Sequence, residues 1–490
     1  MSSADINTPC AAYNAMAARW ELLHDLRGGT EAMRAKGTRW LPKETAEELK
    51  DYDVRLNRTF LYNGLERAIT NIVSRPFGEP VKVDEEGLPE ELVPIIASTD
   101  REGTDTTQLA RCLLDDLVTH GLTHLFVDMP PRPEAATLLT IEERMLRPYF
   151  RHVAADRLIG WKWEMDAGRR VLSEIRMREC VTEPSGEFGE TQIEQVRRVT
   201  KSTWEVWRKT GQTWAIHEHG KHTFGAVPLI TRYAKPGGFM TATPPLEEIA
   251  ETNLEHWQNS SDHANLLRFA SCGILFISGT GTEDEAKPVV VGAGAVYKAS
   301  APQANMKWVE HSGAAIGAGR QRLLDLEARM SMLSMEPITA RSGDVTATER
   351  AIEEGKAQSV IHQWIRGLET MLEEAFHMAA RWRRITIPAG WAGVDIFDEF
   401  GLAYGAQEDL RLLSEMRAKR QITGPTHLRE SKRRGLLSED LDIAAELSAL
   451  EAEGPDPEVL AAATAIAARR HAAEVDHAEP PRAGAAAEET

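Results

Sequence analysis

The sequence predicts an α+β fold, mainly helical, with one β-rich module set between helical regions. Three observations carry this. Apolar residues recur at helical spacing, with capping residues, before residue 130 and again after residue 243. Between Tyr149 and Tyr233 the pattern changes to short alternating runs that hold Trp161, Trp163, Trp204, Trp207 and Trp214. At 490 residues, 42% hydrophobic and 27% charged, the chain has the length for roughly two to four structural units and enough apolar content for ordinary cores.

In order along the chain, Gly28-Gly29-Thr30 reads as a turn and Trp40-Leu41-Pro42 as a break. A helix-like run follows, carrying Tyr52, Leu56, Phe60, Leu65, Ile69 and Ile72, and it stops at Arg75-Pro76-Phe77. Leu109, Leu113 and Leu117 mark a second helix ended by Gly121, and Leu122 to Val127 reads as a buried strand stopped by Met129-Pro130-Pro131. Within the β-rich module, Lys209-Thr210-Gly211-Gln212 is placed as a hairpin loop.

Thr243-Pro244-Pro245 opens a long helix with Thr243 as its N-cap, running to about Ser271, where Gly273 breaks it. Strands are expected at Gly273–Ser278 and Pro288–Lys298, and a helix at about Ala314 to Met335. The small polar residues from Thr339 read as a loop. Thr346 and Glu349 then form a capping box that opens a helix to about Arg384. Its apolar positions Ile361, Ile365, Leu368, Leu372, Ala375, Ala379 and Trp382 alternate steps of 4 and 3, a seam for packing on another helix of the same chain. Charged helices broken at Gly424-Pro425 and Gly435 fill 403–452, and the Ala-, Pro- and Glu-rich tail from Gly454 reads as disordered.

The formal net charge of −18 argues against a protein that wraps nucleic acid by neutralising phosphates. Four separate cysteines form no CxxC pair and fit free thiols in a reducing compartment. The N-terminus lacks the pattern of a signal peptide, and no stretch approaches the ~18 apolar residues of a membrane span. A soluble protein made in a cytoplasm is expected.

No enzyme is expected, and no catalytic, cofactor-binding or metal residue is assigned. Gly317-Ala318-Gly319 and Gly292-Ala293-Gly294 lack the third glycine of a dinucleotide fingerprint, and a GxxxxGK[ST] loop is absent. His217 and His219, with His222 nearby, would share a strand face, yet they lack a clear fourth ligand and read as a polar strand edge. Lys432-Arg433-Arg434 reads as a basic helix C-terminus, favourable with the helix dipole.

Glu248, Glu251, Glu255 and Asp262 lie on one face of the helix that follows Pro245. Two readings stand. The stripe is a solvated face, or, if such helices are arranged in a ring, it lines a negatively charged channel.

Four segments resemble a family of tailed-phage portal-like proteins: GGTEAMRAKGTRWLPKE (28–44), LYNGLERAITNIVSRPF (61–77), PPLEEIAETNLEHWQNSSDHANLLRFASCGILF (244–276) and ARSGDVTATERAIEEGKAQSVIHQWIRGLETMLEEAF (340–376). The resemblance implies a portal-like α+β subunit with wing, stem, clip and crown, about twelve copies of which ring a channel at one capsid vertex. By position it implies wing in 1–150, clip and outer wing strands in the β-rich module 151–242, and a stem helix in 243–271. It further implies wing with long helices and a tunnel loop (about 336–348) in 272–402, a helical crown in 403–453 and a disordered tail in 454–490. No first stem helix is legible before the clip. Candidate channel-lining residues are Glu248, Glu251, Glu255 and Asp262. Candidate tunnel-loop residues are Arg341, Ser342, Gly343, Asp344, Val345 and Thr346. The implied partners are further copies of the chain, double-stranded DNA, a terminase large subunit, the major capsid protein with possible scaffold, and a head-completion adaptor, in the virion and without a membrane or cofactor. The other reading is a virion structural or adaptor protein without a channel.

Overall fold

The computed structural model describes residues 5–130, 147–211, 213–271, 274–278, 305–309, 314–334, 347–397, 406–433, 437, 441–453, 464–466 and 468. The fold is α+β, and the chain divides into two units, Met1–Asp398 and Glu399–Thr490.

The first unit begins with α1 (Ala11–Arg27), α2 (Gly29–Ala35), α3 (Leu49–Arg58), α4 (Gly64–Ser74), the short strand β1 (Lys82–Val83), α5 (Pro94–Ala97) and α6 (Thr106–His120). Glycine permits the first turn, since Gly29 sits at φ +78. The run from Tyr52 to Ile72 is two helices rather than one. Asn63 caps α4 by accepting the Glu66 N–H at 3.1 Å, and Thr59 returns its hydroxyl to the Arg55 carbonyl; both local bonds compete with helix continuation. Phe60, between them, is 69% exposed and lies under the Arg34 guanidinium.

Next come β2 (Leu122–Asp128), β3 (Tyr149–Val153), β4 (Leu158–Asp166), β5 (Arg169–Ser185), β6 (Gly189–Thr200), β7 (Thr203–Thr210), β8 (Thr213–Lys221), β9 (Leu229–Tyr233), β10 (Pro236–Gly238) and β11 (Thr241–Ala242). The β-rich region therefore forms two main sheets: an antiparallel meander β4-β5-β6-β7-β8 and a three-stranded sheet β3-β2-β9. Thr210 pairs with Thr213, so the β7–β8 turn falls at the expected loop.

The meander is held at its middle. Ile175, Met177 and Val199 join Phe126, Leu158 and Leu229 in one apolar cluster, with Trp161 and Trp204 packed against it. Val196 and Ile159 join Tyr13, Met16 and Trp20 of α1 in another, with Trp207 and Trp214 alongside. Alternation along the strands sends these residues inward. Strand β2 is buried along Leu122 to Val127, as expected of a central strand covered on both faces.

The remainder of this unit comprises α7 (Glu247–Ser271), β12 (Ile274–Ser278), β13 (Asn305–Val309), α8 (Ala314–Leu333), α9 (Ala347–Arg383) and β14 (Val394–Asp395), the last paired with β1. The seam of α9 is buried from Ile361 to Ala379, but its partner differs from expectation. It packs chiefly on the β3-β2-β9 sheet, with α6 as a smaller neighbour. Phe376 meets Phe150 of β3 edge to face at 5.2 Å, and Trp382 Nε1 donates to the Val127 carbonyl. A 4-and-3 spacing specifies an apolar stripe without specifying whether helix or sheet covers it.

A polar node lies inside this core. Asp116 of α6 takes His120 Nδ1 at 2.6 Å and His152 Nε2 of β3 at 3.2 Å. His24 of α1 and His120 share an Nε2–Nε2 hydrogen bond of 2.7 Å. His124 of β2 meets the Thr231 hydroxyl at 2.9 Å. Burial pushes Asp116 up, but its two imidazole partners outweigh this and hold the carboxyl far below its usual range.

The second unit contains α10 (Ala406–Ala418), α11 (Gly424–Arg433) and α12 (Ile443–Glu453). Helix α11 ends at Arg433, and Lys432 Nζ donates to the Leu441 carbonyl. Arg434, Gly435 and most of the tail after Gly454 lie outside the described residues. No helix among the described residues is long and apolar enough to cross a membrane.

Candidate functional site

Helix α7 starts at Glu247, four residues after the cap expected at Thr243. The two prolines of the lead-in have no N–H to give, and the chain turns at Pro245 and Leu246 with Glu247 N–H on the Pro244 carbonyl. The Thr243 hydroxyl accepts from Arg19 at 3.5 Å. Gly121 fixes that lead-in. It ends α6 at φ +86, and a Cβ there would stand 2.3 Å from the Thr243 carbonyl oxygen. Only glycine satisfies both conditions.

From this start, α7 runs 25 residues, about 37 Å at helical rise. Its first half is embedded. Ile249, Ala250, Asn253, His256, Trp257 and Ser261 are buried. Asn253 Oδ1 accepts the Leu65 N–H at 2.9 Å, and its Nδ2 donates to the Tyr62 carbonyl at 2.8 Å. Near Ser261, Arg55 is clamped by Glu47 through two bonds of 2.8 Å; Arg55 holds the Glu47 carboxyl below its usual range. Beyond this point Asp262, Ala264, Leu267 and Arg268 are exposed.

Helix α8 runs antiparallel beside α7. Glu248 pairs with Arg329 at 2.8 Å, and Glu255 pairs with Arg322, so rising numbers on one helix meet falling numbers on the other. His256 meets Glu327 at 3.2 Å. The helices come close at Gly319, where a Cβ would lie 2.7 Å from His263 Nδ1. Helix α8 buries Leu326 and Met330 near its C-terminal end, with Ser334 buried in the turn after it, while residues 314–325 are exposed or half-buried. The pair is thus an arm, seated at one end on α3 and α4 and, among the described residues, exposed along its sides at the other. At that end β12 and β13 form an antiparallel ladder from Ile274↔Val309 to Ser278↔Asn305.

The four carboxylates of the stripe do lie on α7, but in unequal surroundings. Glu248 and Glu255 are paired to α8, Asp262 stands 3.6 Å from Arg55 Nη1, and Glu251 is exposed. The missed residues are Arg322 and Arg329. A signal was available: they stand seven apart, like Glu248 and Glu255, which is the spacing two aligned helices require for a ladder. The ladder leaves the stripe with about half the negative charge that counting its carboxylates suggests.

Residues Arg341 to Thr346 lie outside the described residues, between α8 and α9, as do 279–304 within the β12–β13 connection and 131–146 between β2 and β3. A β-bulge lies beside His217, because the β7–β8 register shifts between Val206 and Trp207, and His222 is turned to the Thr200 carbonyl. Among the described residues, no group of three or more His, Cys, Asp and Glu side chains is arranged to hold a metal ion.

The family described as "Domain of unknown function (DUF4055)" matches residues 245–383, the stretch from the start of α7 to the end of α9. No curated protein matches the chain. Among solved structures, the chain is similar to one from the virion of a native gene transfer agent particle, with 11% identity and a TM-score of 0.40 over 74% of this chain and 88% of that one. It is also similar to a chain in the neck of an empty particle of that kind, computed with C6 symmetry, with 11% identity and a TM-score of 0.40 over 76% and 89%. A chain in the neck of the native particle, computed with C12 symmetry, gives 12% identity and a TM-score of 0.39 over 76% and 89%.

Proposed function

We propose that the chain is the portal subunit of a tailed phage, forming a ring of about twelve copies through which double-stranded DNA is packaged and later released. The observation that carries this reading is the α7–α8 arm. A body with two sheets and a long helix supports an antiparallel helix pair tipped by β12 and β13, and the chain returns along α8 to the segment before α9. A stem helix at α7 and a tunnel loop before α9 are what the segments 244–276 and 340–376 imply. The reading moves the clip from the β-rich module at 151–242 to the connection between α7 and α8, so that α7 takes the place of the first stem helix, not legible before the clip, and α8 is the stem helix that returns. The meander is then wing, because its apolar clusters tie it to α1 and β2.

In this function the chain performs no covalent chemistry. The ring guides DNA moved by a separate terminase, contacts the capsid protein, and receives a head-completion adaptor. Low positive charge at the lumen keeps phosphates from binding, so DNA slides. Glu251 contributes most directly, and Arg341 to Thr346 would stand closest to DNA. The pairing of Glu248 and Glu255 with arginines favours a second reading, a virion adaptor that uses the arm for protein contacts.

Negative-stain imaging of the purified full-length protein separates the two. Rings of about twelve subunits with an open channel support the portal; a small globular particle overturns it. In assembled particles, replacing Glu248, Glu251, Glu255 and Asp262 by Lys is expected to shorten the packaged genome, and unchanged length counts against a channel-lining stripe.

A further inference from the structure

The geometry points to an oxyanion site, for a phosphate group, in the cleft where β3 turns into β4 beside β5. The inference does not rest on the portal reading. The cleft, about 150 Å³, is lined by Arg151, His152, Ala154, Arg157, Arg178 and Glu179 among its residues. That is below the range of about 300–1,000 Å³ typical of sites for drug-sized molecules, so the cleft suits an ion or a single terminal group. It opens where β4 begins: Leu158 pairs with Met177, and from Arg178 onward β5 has β6 on one side but no β4 on the other.

Charge is what sets this cleft apart on a chain of formal charge −18. Three arginines line it with one glutamate, and that carboxylate is already satisfied. Glu179 Oε1 accepts from Arg151 at 2.9 Å and Arg197 at 2.8 Å, while its Oε2 accepts from Gln195 at 2.7 Å. Among the described residues, the ion pair of Arg157 is with a distant acid, Asp156, at 3.8 Å. Arg178 donates to the Asn7 side chain at 2.7 Å and to the Asn7 carbonyl at 3.3 Å, and it has no carboxylate partner among the described residues.

Counting lining residues, three Arg against one Glu leaves a surplus of two positive charges. Gathering arginines around one cleft costs repulsion that a bound anion relieves. The surplus matches a phosphate dianion, whose oxygens can take donors from several directions. A carboxylate has two oxygens and needs only one guanidinium fork. The same chemistry would serve free phosphate or the 5′-phosphate of a nucleic-acid end.

The test is thermal unfolding and calorimetry of the full chain with inorganic phosphate against chloride at matched ionic strength. A saturable, phosphate-specific rise in the unfolding midpoint is expected. Arg157→Ala should weaken phosphate binding on the order of tenfold or more, the loss expected for a charge-assisted hydrogen bond. Arg178→Ala should do likewise, but it also releases Asn7, so Arg157→Ala carries the result if the Arg178 variant fails to fold. A 5′-phosphorylated trinucleotide compared with its unphosphorylated form distinguishes the sources: binding of the former supports a nucleic-acid end, and binding of inorganic phosphate alone supports the free ion. Equal midpoints in phosphate and chloride, equal affinity of Arg157→Ala, or acetate binding as well as phosphate would each overturn the site.

Discussion

Asn253 accepts the backbone N–H of Leu65 at 2.9 Å. With its amide nitrogen on the Tyr62 carbonyl, it staples α7 to the turn that opens α4, in a place without solvent access. Asn253→Leu removes both bonds; the Tyr62 carbonyl keeps the Gly64 N–H at 3.0 Å, and the buried Leu65 N–H is left unpaired. At about 1–3 kcal/mol for such a group, a loss near 2 kcal/mol is expected by urea unfolding of the purified protein. A loss under about 1 kcal/mol would show that the staple is not an anchor.

Gly121 couples the end of α6 to the start of α7. Gly121→Ala places a side chain at φ +86 and drives its Cβ into the Thr243 carbonyl. The conformational cost alone is about 1 kcal/mol, and the clash adds displacement of the α7 lead-in. A total loss of roughly 3 kcal/mol or more is expected, read as a fall in the thermal midpoint. Gly103, whose Cβ would meet nothing within 4 Å, is the control: its φ is +101, so Gly103→Ala isolates the backbone part.

The buried histidines set the response to acid. Burial lowers His124 from 6.5 to about 4. The unfolded chain therefore binds the extra proton first, and stability falls as pH drops from about 6.5 toward 4. The full effect is on the order of 3 kcal/mol, with about 2 lost by pH 5. His24, lowered by burial and by His120, acts in the same direction. His120 acts oppositely: burial opposes its charge, but Asp116 raises it, so its contribution is present below 6.5 and is lost as pH rises through its folded value. His124→Asn, which keeps a donor toward Thr231, should flatten the acid limb of stability against pH. An unchanged limb would remove His124 as the cause.

The α7–α8 ladder is a register device more than a source of stability. Exposed pairs contribute roughly 0–1 kcal/mol each, so Glu255→Gln is expected to change unfolding free energy by less than about 1 kcal/mol. Charge reversal is more informative. Glu255→Arg with Arg322→Glu should regain whatever either single reversal loses, measured as a double-mutant cycle. Additive losses would mean that the two side chains do not interact in solution.

The sequence carried local features more fully than their partners. The seam of α9 is plain in its 4-and-3 spacing, yet apolar periodicity names a buried face and not the element covering it, so the sheet β3-β2-β9 was not foreseen. Tyr52 to Ile72 has continuous helical spacing, and Asn63 breaks it through one side-chain bond to Glu66 that no periodicity reports. Thr243 has the chemistry of a cap, but two prolines and a turn stand between it and the first helical residue, and its hydroxyl meets Arg19 instead. The carboxylates of α7 were legible one by one. Their charge was not, because Arg322 and Arg329 are distant in sequence and reach them only when α8 folds back.

The arm's fixing has a mechanical consequence. Both helices are held near one end, at Asn253 and Trp257 on α7 and Met330 on α8, and β12 ties to β13 at the other. Such a pair is a cantilever. A sideways load on the β-ladder acts as a bending moment at the root, multiplied by the length of exposed helix. The ion pairs between the helices resist shear along it, so they stiffen the beam beyond what their small free energies suggest. Compliance is then governed at the seat of Asn253 on Leu65, far from where the force is applied.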